Sequence, residues 1–339
     1  MTQAKYGIFL PVRNGATYIR EAIDSVVAQT RNDWILVVLD NASSDGSAEL
    51  ASAYRHPNIQ VHRSATDLPI WESWHRVLTL LSAGSVDVEY ATIIGHDDQL
   101  LPTFLEAIEQ LITEHPKAGL YQTAFDIVDA RGALIRPCRP IPAVESSTDF
   151  LAARLWGLRD SVGTGYVFRP GDYVAAGGMP NLPFLLHADD LLFARLARIT
   201  FKATCRSSQC LYRLHRESTS HRLSSTRIEG HVAAIEQYVS LLSSSEFPGL
   251  LGNRSGNLAL ACFLAREILI LRPLANELLL STQTCQRIKR LEATYHLVAE
   301  KIDHRQWLGT NFVSRTVYAH SKQLMLFYVL LRSKLASGN

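Results

Sequence analysis

The chain has 339 residues, 47% of them hydrophobic and 19% charged, and a formal net charge of +2. That length supports about two domains with a substantial core, and the composition is that of a folded protein without a disordered tail. So small a charge, with no concentrated basic stripe, argues against nucleic acid as a partner. The five cysteines, Cys138, Cys205, Cys210, Cys262 and Cys285, are odd in number, widely spread and without a CxxC pair. Neither a disulfide framework nor a zinc site is expected. The first apolar stretch is broken by Pro11 and Arg13 and is too short for a signal-peptide core. No apolar run approaches the ~20 residues of a membrane span, so the cytoplasm is the expected compartment, with peripheral contact at the inner face of the membrane left open.

Taken in chain order, the first half alternates short apolar runs with helical periods, the pattern of an α/β layer on a mostly parallel sheet. Tyr6–Val12 and Trp34–Leu39 read as buried strands. Between them Tyr18, Ile19, Ala22, Ile23, Val26 and Val27 recur at helical spacing, completing a β-α-β unit. Asn41 to Gly46 is a turn and cap cluster in which Ser44 or Asp45 is placed to receive backbone N–H groups. The periodicity then predicts a strand over Ile59–His62, a helix over Ile70–Leu81, a strand over Tyr90–Gly95 and a helix over Leu101–Thr113. Leu120–Val128 and Ala133–Ile135 flank a hairpin turn, which makes the sheet mixed. Strands at Tyr166–Arg169 and Ala203–Tyr212 bracket a helix from Ala188 to Arg198. From about Ser224 long Leu/Ala/Glu/Arg segments take over, with breaks expected at Phe247–Gly256, Arg272-Pro273 and Leu308–Asn311. The expected division is therefore 1–223, with halves of about 1–100 and 101–223, and a helical domain over 224–339.

In open α/β sheets ligands bind beyond the carboxyl ends of the strands, which directs attention to Pro11–Asn14, Asp40-Asn41 and His96–Asp98. Asp97-Asp98 can offer a hard oxygen ligand to a divalent cation, or cap the following helix. Asp40 and Asn41 offer acceptors and donors to a base or ribose, or close an Asx turn. Asp189-Asp190, opening a helix, can supply a general base or simply complement the helix dipole. Tyr212 to Arg216 joins cations to an imidazole, suited to a diphosphate or metal shell, or forms a solvated basic loop.

The segments FLPVRNGATYIREAIDSVVAQT, WILVVLDNASSDGS, EYATIIGHDDQLLPTFLE, VGTGYVFRPGDYVAAGG, HADDLLFARLA and YRLHRESTS, in this order over roughly residues 6–222, resemble glycosyltransferase family 2. The resemblance implies the GT-A fold, a Rossmann-like mixed α/β sheet flanked by helices, here with a C-terminal helical subdomain. It implies an inverting glycosyltransferase that moves a sugar from a nucleotide-diphospho-sugar of UDP or dTDP type to an acceptor hydroxyl. The acceptor class implied is a surface glycan or lipid-linked glycan, in polysaccharide or glycolipid assembly. Carried over residue by residue, it implies that Asp98 ligates Mn²⁺ or Mg²⁺ with His215, and that Asp97 lies near the donor sugar or ribose. Pro11, Arg13, Asn14, Asp40 and Asn41 line the nucleotide, Arg213 approaches the diphosphate, and Asp189 is the base with Asp190 the alternative. The chain departs from the family pattern at Arg13, where an aromatic residue is frequent, at Asn41, where a second Asp is common, and at Ala188, where Glu often precedes the catalytic Asp. Two rival readings stand beside this one: a sugar nucleotidyltransferase, disfavoured because Gly15 is alone where a phosphate loop is glycine-rich, and an inactive glycosyltransferase-like assembly or membrane-recruitment protein. Val317–Leu335 mixes apolar residues with Lys322, Arg332 and Lys334, a composition that either rests on an anionic membrane surface or packs against protein.

Overall fold

The computed structural model describes residues 4–160, 162–215, 224–277 and 280–300. Residues 216–223, the expected break at 308–311 and the segment 317–335 lie outside the described residues.

The chain runs β1 (Tyr6–Val12), α1 (Ile19–Val27), β2 (Trp34–Asp40), α2 (Ser47–Ser52), β3 (Ile59–Arg63), α3 (Ile70–Ser82), β4 (Tyr90–Ile93), β5 (Gln99–Leu100) and α4 (Phe104–Glu114). It continues through β6 (Leu120–Val128), β7 (Leu134–Pro137), β8 (Val144–Glu145), α5 (Ser147–Leu155), β9 (Tyr166–Phe168), α6 (Pro170–Ala175), α7 (Ala188–Ile199) and β10 (Lys202–Arg213). The last helices are α8 (Ser225–Leu242), α9 (Arg254–Glu277) and α10 (Thr282–Glu300). The described residues form two compact units, one reaching His215 and the other starting at Ser224 and taking in residues 155–157.

The first unit is built on one mixed sheet in the order β3-β2-β1-β4-β9-β6-β10-β5, with β7 added to β6 and β8 to β10. Every residue of β1 is buried, as a central strand covered on both faces requires. Ile19, Ala22, Ile23 and Val26 turn the apolar stripe of α1 into this core. β1 pairs in parallel with β2 on one side and β4 on the other, so the strand order reverses at β1, and beyond the carboxyl end of such a strand is where ligands bind in open α/β sheets. β9 then runs antiparallel between β4 and β6, which brings the start of β9 to the same edge as the end of β4.

Four local differences from the sequence expectations stand out. β4 stops at Ile93 rather than Gly95, and α4 starts at Phe104 rather than Leu101, because Leu101 precedes Pro102, which disfavours helix, and its N–H bonds to Gln209 O at 2.8 Å. Residues 147–155, for which the spacing assigns no element, form α5. Pro273 does not break α9: it removes one backbone bond, while Leu271 and Leu274 on either side are buried and hold the helix together.

In the second unit α8 is capped by Ser224, whose hydroxyl accepts the Arg227 N–H at 3.1 Å. Its Tyr238 meets Phe263 of α9 edge-on at 5.5 Å. No helix among the described residues is long and apolar enough to cross a membrane.

Candidate active site

The carboxyl ends of β1 and β2 are knitted together by side chains that receive exposed N–H groups. Asn14 N donates to Ser43 Oγ at 3.0 Å, Gly15 N to Ser47 Oγ at 2.8 Å and Ala16 N to Asp45 Oδ2 at 2.8 Å. Asn14 Oδ1 in turn accepts Ser44 N at 2.9 Å. Asn14 and Ala42 hold left-handed backbones, with φ of 53° and 48°, an uncommon state for residues with a Cβ that these bonds enforce. Gly15 is glycine for a steric reason: a Cβ there would lie 2.3 Å from the His96 ring and 2.8 Å from Val12.

Of the nucleotide-lining residues expected from the sequence, Pro11, Asp40 and Asn41 are buried. Asn41 is committed to the backbone of Leu68, donating to its carbonyl at 2.8 Å and accepting its N–H at 2.9 Å. Asp40 faces Arg63 Nε at 3.4 Å and accepts Ser43 N at 3.3 Å. Arg13, exposed at the rim, is ion-paired with Asp67, so it and Asn14 are the two of this set that reach solvent.

Beyond β4 the two aspartates have different surroundings. Asp98 is 4% exposed, and both its oxygens are engaged: Oδ1 accepts Arg213 N at 3.0 Å, and Oδ2 accepts the Thr164 hydroxyl. Burial, then the charge of Asp97, push its carboxyl up to about 7 against these hydrogen bonds. Asp97 is more accessible, with a side chain 19% exposed, and its Oδ2 lies 2.8 Å from His215 Nε2, 118 residues away in sequence. A carboxylate oxygen beside an imidazole nitrogen is a donor pair that Mn²⁺ or Mg²⁺ accepts. The sequence expectation joined His215 to Asp98; the structure joins it to Asp97.

Arg213 is 2% exposed. Its guanidinium donates to Asp97 O at 2.9 Å, Ala130 O at 3.2 Å and Glu21 Oε2 at 2.5 Å, and lies over the Tyr18 ring at 4.7 Å. It staples α1, the Asp97 turn and the end of β10 together instead of facing outward. Gly95 belongs to the same close approach, since a Cβ would meet Asp97 Oδ1 and Asp98 Oδ2, each at 2.8 Å.

At the start of α7, Asp190 is buried and ion-paired with Arg154 of α5. Burial opposes its ionisation, but Arg154 and His187 outweigh burial and hold the carboxyl below the usual range. Asp189 is half-buried; burial and the adjacent Asp190 charge push its carboxyl up to about 6, against the pull of Arg154 and His187. Thr164, just before β9, donates to Asp98, while Tyr166, in β9, stacks on Phe193 of α7 at 3.7 Å. The segment that leads into α7 is strained, with Phe184, Leu185 and His187 at φ of 55°, 57° and 62°, conformations that persist where the surroundings enforce them.

This sheet, with its reversal at β1 and acidic turn after β4, has the GT-A glycosyltransferase fold. The structure of S. aureus TarS 1-349 in complex with UDP-GlcNAc matches with a TM-score of 0.59 at 17% identity, over 87% of this chain and 81% of that one. The mannosyltransferase PcManGT from Pyrobaculum calidifontis, in complex with GDP-Man and Mn²⁺, matches with a TM-score of 0.50 at 16% identity, over 88% and 87%. Residues 7–166 match the model of glycosyl transferase family 2. An uncharacterized glycosyltransferase of Rickettsia felis is 29% identical over 138 residues, 39% of this chain and 21% of that protein. A PGL/p-HBAD biosynthesis glycosyltransferase of Mycobacterium bovis is 26% identical over 125 residues, 35% of this chain and 46% of that protein. The chain thus spans less than half the length of either relative.

Proposed function

We propose that this chain is an inverting glycosyltransferase that moves a sugar from a nucleotide-diphospho-sugar to an acceptor hydroxyl. The observation that carries the reading is the pairing of Asp97 with His215 at 2.8 Å beyond the end of β4; Asp189 stands in the first turn of α7. The donors held by the TarS and PcManGT structures, UDP-GlcNAc and GDP-Man with Mn²⁺, support a nucleotide-sugar as the donor class. A relative in M. bovis is named for PGL/p-HBAD biosynthesis, and a glycan or lipid-linked glycan is the acceptor class of this reading.

Asp97 and His215 are the proposed cation ligands. A Mn²⁺ or Mg²⁺ ion bound there would neutralise the departing nucleoside diphosphate. Asp98 acts beneath them: by accepting Arg213 N and the Thr164 hydroxyl it fixes the turn on which Asp97 stands. Arg213 holds the same turn through the Asp97 carbonyl. Arg13 and Asn14, exposed at the end of β1, are placed to meet the nucleotide, and opening of the Arg13–Asp67 pair would free the guanidinium for it.

Asp189 is the proposed base. Its carboxylate takes the acceptor proton as the hydroxyl oxygen forms its bond to the anomeric carbon, and the bond to the diphosphate oxygen breaks on the opposite side. A carboxyl raised to about 6 is ionised near neutral pH yet more basic than an ordinary aspartate, which suits proton abstraction. Asp190, held charged against Arg154, is poorly placed to accept a proton.

The test is release of nucleoside diphosphate from a panel of UDP-, dTDP- and GDP-sugars with Mn²⁺, in the presence of mixed glycan and lipid-linked acceptors. Asp189→Asn should bind donor as the parent does while transfer falls by at least about a hundredfold, the scale of a lost general base. Undiminished transfer by this variant would refute the base assignment.

A further inference from the structure

We propose that Asp190 and Arg154 form a positioning pair for Asp189, in which Asp190 engages the Arg154 guanidinium and so keeps it from neutralising the neighbouring carboxylate. The proposal rests on the reading of Asp189 as the base. The geometry consists of one buried cation and two adjacent carboxylates. Arg154 and Asp190 side chains are 3% and 5% exposed. Arg154 Nε and Nη2 both donate to the same oxygen, Asp190 Oδ1, the former at 2.5 Å, while Nη1 donates to the Asp160 carbonyl. Nε and Nη2 of the guanidinium are thus directed to Asp190 and Nη1 to the Asp160 backbone.

Other charged and titratable groups stand near the pair among the described residues. His187, at the left-handed cap of α7, has Nδ1 3.8 Å from Asp190 Oδ2. Tyr166, facing from β9, is buried and its hydroxyl is pushed above its usual value. Behind Arg154, Lys202 is 2.7 Å from Glu145, and Arg159 Nη2 stands 3.6 Å from the same carboxylate. The second acidic residue of α7 is therefore a charge partner, not a spare base. Arg154 and Asp189 lie within electrostatic range of each other, so removing the Asp190 charge would turn the guanidinium's field onto Asp189. A carboxylate beside an arginine has its pKa lowered by about one to three pH units, which would leave a weaker base.

The test is a titration of the Asp189 carboxyl in the full chain by carbon NMR of ¹³Cγ-aspartate, with the resonance identified by its loss in Asp189→Asn. In Asp190→Asn the Asp189 midpoint should fall by about one to three pH units, and Asp190→Glu should restore it. In the double variant Arg154→Met with Asp190→Asn, where the cation leaves with its partner, the midpoint should return to the parent value or above it. A midpoint unchanged in Asp190→Asn, or one lowered as far in the double variant as in the single, would overturn the proposal. The base reading is decided separately: transfer retained by Asp189→Asn would overturn it whatever the titrations give.

Discussion

Glycine at position 15 is a requirement of close packing, because a methyl group there would enter the half-buried His96 ring and Val12. Overpacking of this kind costs about 1–3 kcal/mol, so Gly15→Ala should lower the unfolding free energy by that amount, read as a lower urea midpoint without a change in slope. The raised carboxyl of Asp189 has a consequence of definite sign. Its folded value of about 6 exceeds the roughly 3.9 of an unfolded aspartate, so between about pH 4 and 6 the folded state binds more protons than the unfolded one. Stability through this group therefore falls as pH rises across that window. Denaturation followed from pH 4 to 6 should show a less negative slope in Asp189→Asn than in the parent, and parallel slopes would contradict the shift.

Between elements, the buried ion pair of Glu145 on β8 with Lys202 on β10, at 2.7 Å, illustrates how partnership decides stability. Burial lowers the Lys202 ammonium to about 8 although Glu145 favours the charge. Lys202→Met alone would leave Glu145 facing the more distant Arg159 at 3.6 Å and should cost up to about 3–5 kcal/mol, whereas adding Glu145→Leu should recover most of it; chemical denaturation of both variants checks this. The strands and helices of the first half were legible in the sequence because each carries a strong apolar period, as in β1, α1, β2 and β6. α5 was not: it buries Phe150, Leu151 and Leu155, but Arg154 interrupts that apolar face, and its partner on α7 is 36 residues away. The same limit applied at the acidic turn. The sequence marked Asp97, Asp98, Arg213 and His215, but which carboxylate meets the imidazole depends on the turn geometry after Ile93, on Gly95 and on the Thr164 hydroxyl. Asn41 reads as a ligand-binding amide at a strand end, and only the path of residues 64–68 shows it taken up by the Leu68 backbone.

At the scale of the whole molecule, the candidate site gathers residues from the ends of β1 and β4, the start of β9, the first turn of α7 and the end of β10, all within the first unit. Such an assembly depends on the crossing order of the sheet, which brings positions more than a hundred residues apart into hydrogen-bond contact. The central claim is that this assembly presents Asp97 and His215 to a cation beneath a diphosphate, with Asp98 in support. Calorimetry of UDP and GDP binding with and without Mn²⁺ tests it most directly. Mn²⁺ should raise affinity in the parent and in Asp189→Asn, and Asp97→Asn should lose that gain by more than about tenfold, while Asp98→Asn keeps part of it. An Asp97→Asn protein whose Mn²⁺-dependent binding equals that of the parent would contradict the account.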